Sequence, residues 1–350
     1  PKYRRCGLNH GEASMKFAVI GAGSWGTTLA NLLCDNGHQV RLWAREPEVV
    51  TGITTAHRNP FFVSHLALNP LLECTQNLPE ALSGAEIALL SIPSSFIRPT
   101  IEPHKEQLRS LKGIVNVAKG FERDSGRRIS QVICDILGII AESPADRIAS
   151  LSGPNLADEV AQKKLGASVI AAPCQELSQN LQECFSNSYF RVYRHNDRTG
   201  VELGGTLKNI FAIGAGIVDG LELGDNAKAA YLTRSLHELV RLGTALGGDI
   251  QTFYGLAGLG DLMATTSSPL SRNHRLGMAL AKGDSLKNFT GSTKMVIEGV
   301  EAAKIASEWG KKLTLQLPIT EELCRVLFED TPPAVAAANL MGRSLKAETD

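Results

Sequence analysis

The sequence carries no net charge, because its 36 lysines and arginines balance its 36 aspartates and glutamates. Such a chain offers no broad basic surface for nucleic acid or an anionic membrane, so any anion site must be local. We find no apolar run of the length that a membrane span requires. The first 14 residues are polar and basic, without the apolar segment of a signal peptide. We therefore expect no nucleic-acid partner and no integral membrane segment.

Paired cysteines are missing as well. The seven cysteines are scattered along the chain, odd in number, and include no C-x-x-C motif. This pattern argues against a disulfide framework and against a zinc site, and it suits a reducing compartment. We expect a cytoplasmic protein without a bound metal.

Length and composition favour two folded domains. The chain has 350 residues, of which 43% are hydrophobic and 21% charged, so it can bury a substantial core. We predict a disordered leader over residues 1–14, with Met15 near the natural start of the chain. Residues 15–198 and residues 199–350 are predicted to form the two domains.

A glycine motif near the start of the chain organises this interpretation. Residues 17–20 form a short apolar run, followed by Gly21, Gly23 and Gly26 in the spacing G-x-G-x-x-G and then by a helical pattern. The first glycine permits a tight turn, the second lets the backbone approach a pyrophosphate, and the third lets helix and strand pack closely. The helix N-terminus would then face the phosphates. The alternative is a glycine turn that binds nothing.

Further apolar runs alternate with helical stretches as far as residue 198, which predicts a mostly parallel, doubly wound α/β sheet. With the glycine motif, this pattern predicts a Rossmann-like dinucleotide-binding domain over residues 15–198. Helical patterns dominate beyond it, so we predict an all-helical domain over residues 199–350 that carries the substrate and catalytic groups. The predicted strands after the first cover residues 40–43, 87–92, 114–118, 147–151, 168–171 and 189–193. Arg45 lies just beyond the second strand, where it could pair with the 2′-phosphate of NADP, or else be an ordinary surface arginine. Both NAD and NADP therefore stay open as cofactors.

Two lysines are candidates for chemistry. Lys119 directly follows a predicted strand, where it could meet the nicotinamide end of a cofactor, although most loop lysines are simply solvated. Lys208 lies among glycines on an apolar helical stretch, where burial of a lysine is costly without a functional reason. Farther along, Asp261 lies in a second glycine-rich turn, residues 255–262. Ser271, Arg272 and Asn273 combine donors that suit a phosphate, although the segment alone could be a surface loop.

Several blocks of sequence resemble the bacterial-type NAD(P)-dependent sn-glycerol-3-phosphate dehydrogenases. The matching segments are GAGSWGTTLA (21–30), KGFE (119–122), LSGPNLADEVA (151–161), the long block at 200–230, GLAGLGDL (255–262), SRNHR (271–275) and VIEGV (296–300). The resemblance implies reversible reduction of dihydroxyacetone phosphate to sn-glycerol 3-phosphate for glycerophospholipid synthesis. It also implies NAD(P)H as cofactor and a homodimer.

The resemblance also implies roles for individual residues. It makes Lys208 the general acid and base, and Lys119 a contact to both substrate and cofactor. The remaining implied substrate contacts are Gly153, Asn155, Asp261, Ser271, Arg272 and Asn273. The remaining implied cofactor contacts are Gly21, Gly23, Ser24, Trp25, Gly26, Arg45, Ala157, Arg272, Val296 and Glu298. Asn155 replaces a Ser or Thr that family members often have, and position 45 varies within the family.

The chemistry of ketone reduction fits these assignments. The reaction needs a hydride donor at the carbonyl carbon and a proton donor at the carbonyl oxygen. Lys208 could give that proton if burial and a nearby Lys119 lower its pKa, with Asp261 orienting it. Two alternatives remain: a β-hydroxyacid dehydrogenase of similar build, and a non-catalytic NAD(P) sensor, which would not need Lys208 or Asp261.

Overall fold

The computed structural model describes residues 14–143, 145–291, 296–345 and 347–348. The predicted leader, residues 1–14, lies outside the described residues except for Ser14. An eight-stranded sheet fills the first part of the chain. Its strands are β1 (Lys16–Ile20), β2 (Gln39–Trp43), β3 (Glu73–Thr75), β4 (Ile87–Leu90), β5 (Gly113–Asn116), β6 (Ile148–Ser152), β7 (Gly166–Ala171) and β8 (Phe190–His195). They occur in the sheet in the order β3-β2-β1-β4-β5-β6-β7-β8.

Neighbouring strands run parallel except for the antiparallel pair β6 and β7. The helices between the strands are α1 (Ser24–Asp35), α2 (Pro47–Ala56), α3 (Leu78–Leu82), α4 (Ile97–Ile101), α5 (Lys105–Arg109), α6 (Ile129–Leu137), α7 (Ala157–Ala161) and α8 (Gln175–Phe185), with 3-10 turns at Ser94–Phe96 and Glu102–His104. Parallel strands need such crossovers, so the predicted doubly wound α/β fold is confirmed.

Only helices follow the sheet in the described part of the chain. They are α9 (Arg198–Gly220), α10 (Asp225–Ala245), α11 (Ile250–Phe253), a π-helical turn (Leu256–Gly260), α12 (Asp261–Ser267), α13 (Arg272–Ala281), α14 (Leu286–Gly291), α15 (Glu298–Lys312), α16 (Pro318–Phe328) and α17 (Pro333–Met341). The predicted change from a sheet to a helical region is therefore confirmed, whereas the domain boundary at residue 198 stays a prediction.

The core follows from the period of the strands. On β1, Phe17 and Val19 enter the cluster on one face of the sheet, while Ala18 and Ile20 enter the cluster on the other face. Such alternation is the two-residue period of a strand, and burial on both faces makes the run continuously apolar. A third cluster around α9 forms the core of the helical region.

Helix α9 is the centre of the helical region and is buried on nearly every side. Asp197 caps its N-terminus by accepting a hydrogen bond from the N–H of Gly200 at 2.7 Å. Among the described helices, α9 alone is long and apolar enough to cross a membrane, yet its most apolar window of 18 residues is entirely buried in the protein. A helix that is apolar on all sides belongs in a core, and α9 occupies one.

Two buried ion pairs bind the start of α9 to the part of the chain that contains the sheet. Arg198 donates to Asp146 at 2.7 Å and to the carbonyl oxygen of Ile148, also at 2.7 Å. One turn later, Glu202 accepts a hydrogen bond from Arg128 at 2.7 Å. A buried charge that loses its partner is strongly destabilising, so these pairs fix where α9 leaves the sheet.

Some local predictions were wrong. Residues 255–262 are not a simple turn, because they form the π-helical turn and the start of α12. The strands predicted over 87–92 and 114–118 end two residues earlier, and the three-residue edge strand β3 was not predicted.

Candidate active site

The glycine turn lies where β1 ends, against the end of β4. Gly21 has a φ of +110°, a backbone conformation that is strained for residues with a side chain. Its N–H donates to the carbonyl oxygen of Trp43 at 3.1 Å. A Cβ on Gly26 would overlap the carbonyl oxygen of Gly21, so only glycine lets α1 approach β1 this closely. The carboxyl ends of parallel strands are the usual ligand edge of an open α/β sheet.

This turn fits a bound dinucleotide. A Cβ built on Gly23 meets no described atom within 4 Å, which leaves space for a phosphate group. Helix α1 begins at Ser24, and no side chain in the described residues caps its first turn, so its amide groups can face an anion. The indole N–H of Trp25 is buried without a hydrogen-bond partner in the described part of the chain, and a ligand oxygen would satisfy it.

Two further candidate cofactor residues lie near this turn. Arg45 follows β2 with 79% of its side chain exposed, and its guanidinium binds Glu46 at 2.8 Å. Ala157 begins α7, and its carbonyl oxygen accepts a hydrogen bond from Thr28 of α1 at 3.4 Å. Ala157 therefore lies against the helix that the glycine turn starts, while Arg45 follows the strand whose last residue, Trp43, binds Gly21.

Lys119, Lys208 and Asp261 form one cluster, although the sequence separates them by up to 142 residues. The Nζ of Lys208 donates to Oδ1 of Asp261 at 2.9 Å. The Nζ of Lys119 donates to the other carboxylate oxygen, Oδ2, at 2.6 Å. The side chains of Lys208 and Asp261 are only 7% and 2% exposed. One carboxylate therefore holds two ammonium groups in a fixed relation.

The cluster lies at the carboxyl ends of β5 and β6. Lys119 follows β5 and also donates to the carbonyl oxygen of Gly153, which follows β6, at 2.9 Å. Asn155 donates to Ser168 at 3.1 Å, while its own Oδ1 is buried without a partner among the described residues. A buried acceptor that lacks a donor is costly, and a substrate hydroxyl could supply one.

Burial, together with the positive charges of Lys119 and Arg272, lowers the pKa of Lys208 to about 8, although the carboxylate of Asp261 opposes the shift. The pKa is lowered because burial destabilises the ammonium form, so Lys208 gives up its proton more readily than an exposed lysine. The sequence-based expectation of a lowered pKa at Lys208 is confirmed. A group with a pKa near neutrality can act as an acid in one direction and as a base in the other.

The candidate phosphate residues lie at the N-terminus of α13. Ser271 is the N-cap residue, and its hydroxyl accepts a hydrogen bond from the N–H of His274 at 3.3 Å. Arg272 begins the helix and donates to the carbonyl oxygen of Val296 at 3.1 Å. Asn273 donates to the side chain of Asn209 at 2.9 Å, and its Oδ1 accepts from a backbone N–H at 3.1 Å. The serine and asparagine therefore already have structural partners, while α13 adds the dipole of its N-terminus.

Glu298 connects the helical region to the sheet. Its carboxylate accepts hydrogen bonds from the N–H and the hydroxyl of Ser94, at 2.9 and 2.6 Å. A Cβ on Gly120 would overlap this carboxylate, so a larger residue there would displace it. Burial raises the pKa of Glu298, against the hydrogen bonds from Ser94 and the charge of Arg272.

Sequence reasoning missed three residues of this site. Thr265 accepts a short hydrogen bond from the Nζ of Lys208 and lies one helical turn after Asp261. Asn209 donates to the carbonyl oxygen of Lys119 at 2.9 Å, and Ser94 binds Glu298 as described above. The four-residue spacing from Asp261 to Thr265 would have been a signal had α12 been predicted to start there. No group of three or more possible metal-binding side chains occurs within the described ranges.

Family models and curated relatives that match this chain all indicate one family. Residues 16–178 match the family model described as NAD-dependent glycerol-3-phosphate dehydrogenase N-terminus, and residues 197–338 match the C-terminus model. A curated relative from Streptomyces griseus, glycerol-3-phosphate dehydrogenase (NAD(P)+), is 42% identical over 95% of this chain and 98% of its own. One from Lacticaseibacillus paracasei, with the same name, is 42% identical over 96% of this chain and 97% of its own.

Solved structures that are similar to this chain indicate the same family. A crystal structure of glycerol-3-phosphate dehydrogenase from Coxiella burnetii is 35% identical, with a TM-score of 0.87 over 94% of this chain and 99% of that chain. A glycerol-3-phosphate dehydrogenase from Saccharomyces cerevisiae is 26% identical, with a TM-score of 0.78 over 95% of this chain and 100% of that chain. The similarity therefore extends over both the sheet and the helical region.

Proposed function

The chain belongs to the family of NAD(P)-dependent glycerol-3-phosphate dehydrogenases, and from this premise we propose how its residues interconvert dihydroxyacetone phosphate and sn-glycerol 3-phosphate. The protein is an NAD(P)-dependent oxidoreductase. The observation that carries the proposal is the buried Lys208, bound to the carboxylate that also binds Lys119.

Lys208 is the proposed proton donor. When bound, the reduced nicotinamide supplies the hydride to the carbonyl carbon. The ammonium of Lys208 stabilises the negative charge that develops on the carbonyl oxygen and then gives up its proton to that oxygen. In the reverse direction, the neutral amine takes the proton from the alcohol. A pKa of about 8 suits both directions near neutral pH.

Asp261 orients this donor. One carboxylate oxygen binds Lys208 and the other binds Lys119. The negative charge between the two ammonium groups offsets their repulsion, so both can lie in one site. Lys119 is the proposed second cationic contact to the substrate, next to the cofactor edge of the sheet. Charges fixed before the reaction need no reorganisation as charge develops, which lowers the barrier.

The phosphate group is a remote anchor in this proposal. Arg272 presents a guanidinium at the N-terminus of α13, and both the charge and the helix dipole favour a phosphate there. Contacts far from the reacting carbon hold the carbonyl near Lys208 and convert binding energy into orientation. Ser271 and Asn273 contribute by shaping this turn, since their side chains bind within it.

Absorbance at the reduced-nicotinamide band tests the activity. Dihydroxyacetone phosphate should be reduced with NADH and NADPH measured in parallel, while a three-carbon keto acid without a phosphate should be a poor substrate. Preference for the keto acid would favour a β-hydroxyacid dehydrogenase. Cofactor binding without turnover of either ketone would favour a non-catalytic sensor.

Four broader assignments belong to the proposal, two of them implied by the family resemblance and two by the sequence pattern. We propose a role in glycerophospholipid synthesis, a cytoplasmic location, a homodimer and a domain boundary near residue 198. Light scattering during size-exclusion chromatography tests the dimer, and limited proteolysis tests the boundary. Restoration of glycerol-phosphate-dependent lipid synthesis in a deficient strain tests the metabolic role, and fractionation tests the location.

A further inference from the structure

Three polar side chains from three helices meet behind the phosphate end of the site. Asp219, near the end of α9, accepts a hydrogen bond from His274 Nε2 of α13 at 2.7 Å and from Lys228 Nζ of α10, also at 2.7 Å. The side chain of His274 is 11% exposed. Although burial opposes it, the hydrogen bonds from Lys228 and His274 hold the pKa of Asp219 below its ordinary value. The carboxylate is therefore ionised and accepts from both partners.

His274 is the third residue of α13, directly after the candidate phosphate residues Arg272 and Asn273. Its side chain points to α9, the helix that carries Lys208. A rotation or slide of α13 would therefore move the phosphate anchor relative to the proton donor. The contact between α13 and α9 thus controls a distance that the reaction depends on.

The two helices touch backbone to backbone. A Cβ on Gly216 of α9 would overlap the carbonyl oxygen of His274, and a Cβ on Gly277 of α13 would overlap that of Ile213. Because no side chains separate the helices at this crossing, hydrogen bonds on either side of it determine how α13 is aligned along α9. On the substrate side Asn273 binds Asn209, and on the far side His274 binds Asp219.

We propose that His274 is a positioning residue, whose hydrogen bond to Asp219 fixes the first turn of α13, and with it the phosphate anchor, relative to Lys208. This inference rests on the proposed function, because it assigns His274 to the phosphate end of that same site. The residue acts through Arg272 and the helix N-terminus and does not itself touch the substrate.

Loss of the hydrogen bond between His274 and Asp219 should affect only the phosphorylated substrate. The proton donor and its carboxylate stay on α9 and α12, so the reacting end keeps its geometry. Only the benefit that the phosphate gives to positioning declines. Misplacement of an anchor by a fraction of an ångström is enough to reduce catalytic efficiency by about tenfold or more.

The test compares His274→Leu and Asp219→Asn with Lys228→Met, which removes a partner of the same carboxylate but leaves α13 untouched. We expect kcat/KM for dihydroxyacetone phosphate to fall by about tenfold in the first two variants, the size expected for one charged hydrogen bond. Part of this loss should be in kcat, because the phosphate contact orients the carbonyl. Reduction of dihydroxyacetone without the phosphate, and the KM for NADH, should stay within about twofold of wild type. His274→Gln keeps a donor and should recover most of the loss.

Three outcomes would overturn the inference: equal losses for the two ketones, an equal loss in Lys228→Met, or no recovery in His274→Gln. If His274→Leu does not fold, Asp219→Asn and His274→Gln still decide between positioning and a purely structural role. A wild-type protein that does not reduce dihydroxyacetone phosphate would refute the proposed function. An active wild type, with His274→Leu indistinguishable from Lys228→Met, would refute only the role of His274.

Discussion

Asp261→Asn is expected to shift the pH dependence of ketone reduction towards acid. In the wild type, one carboxylate oxygen lies 2.9 Å from Lys208 Nζ and the other lies 2.6 Å from Lys119 Nζ. Asparagine keeps the shape of the side chain but removes the negative charge. The two ammonium groups then face each other without an anion between them, which makes the protonated form of Lys208 less favourable.

The size of the shift follows from the geometry. Two unit charges about 4 Å apart attract by roughly 4 kcal/mol at an effective dielectric constant of about 20. One pKa unit corresponds to about 1.4 kcal/mol, so losing the attraction lowers the pKa of Lys208 by about two to three units. Starting from a pKa of about 8, the ammonium fraction at pH 7 falls from roughly 0.9 to below about 0.1.

The assay is kcat/KM for dihydroxyacetone phosphate between pH 5.5 and 9.5. The sign follows from the need for an ammonium: wild-type activity should decline as the pH rises through about 8, the pKa of Lys208. In Asp261→Asn the decline should begin below pH 7. Thermal melting and NADH titration show whether the variant is folded and binds cofactor. A decline that stays near pH 8, or moves to higher pH, would refute the role of Asp261 in setting this pKa.

Three other predictions concern the cofactor end. Arg45→Gln should reduce kcat/KM about tenfold with NADPH and little with NADH, since a charged contact to the 2′-phosphate is lost; equal losses would exclude that contact. Glu46→Gln should improve NADPH use, because it frees the guanidinium now bound at 2.8 Å; an unchanged cofactor ratio would contradict this. Gly23→Ala should have the melting temperature of the wild type but bind NADH poorly, whereas Gly26→Ala should lose stability through overlap with Gly21. Normal NADH binding by Gly23→Ala would show that the cofactor phosphate does not bind at that turn.

The sequence was most informative where local pattern and tertiary structure coincide. The G-x-G-x-x-G turn needs a strand before it and a helix after it, and all three are readable within twenty residues. The burial of Lys208 was predictable for a similar reason, because an apolar helix with many glycines has little reason to present a solvated face. These features rest on short-range periodicity, which a single sequence contains.

Other features depend on packing that no local pattern records. Residues 255–262 suggest a turn because of their glycines, yet the segment is closely packed: a Cβ on Gly258 would overlap the carbonyl oxygen of Phe253, and one on Gly204 of α9 would lie 2.6 Å from that of Ala257. The pairing of Ser94 with Glu298 joins residues 204 positions apart. The edge strand β3 pairs over three residues only, too few for an alternating pattern to be visible.

The proton donor is the central claim, and Lys208→Ala tests it most directly. Single-turnover reduction of dihydroxyacetone phosphate should slow by at least about a thousandfold, the scale of a lost general acid and its charge. NADH affinity, measured by fluorescence titration, should stay within about threefold, because the glycine turn is intact. A variant that binds NADH normally and reduces the ketone at nearly the wild-type rate would contradict the account.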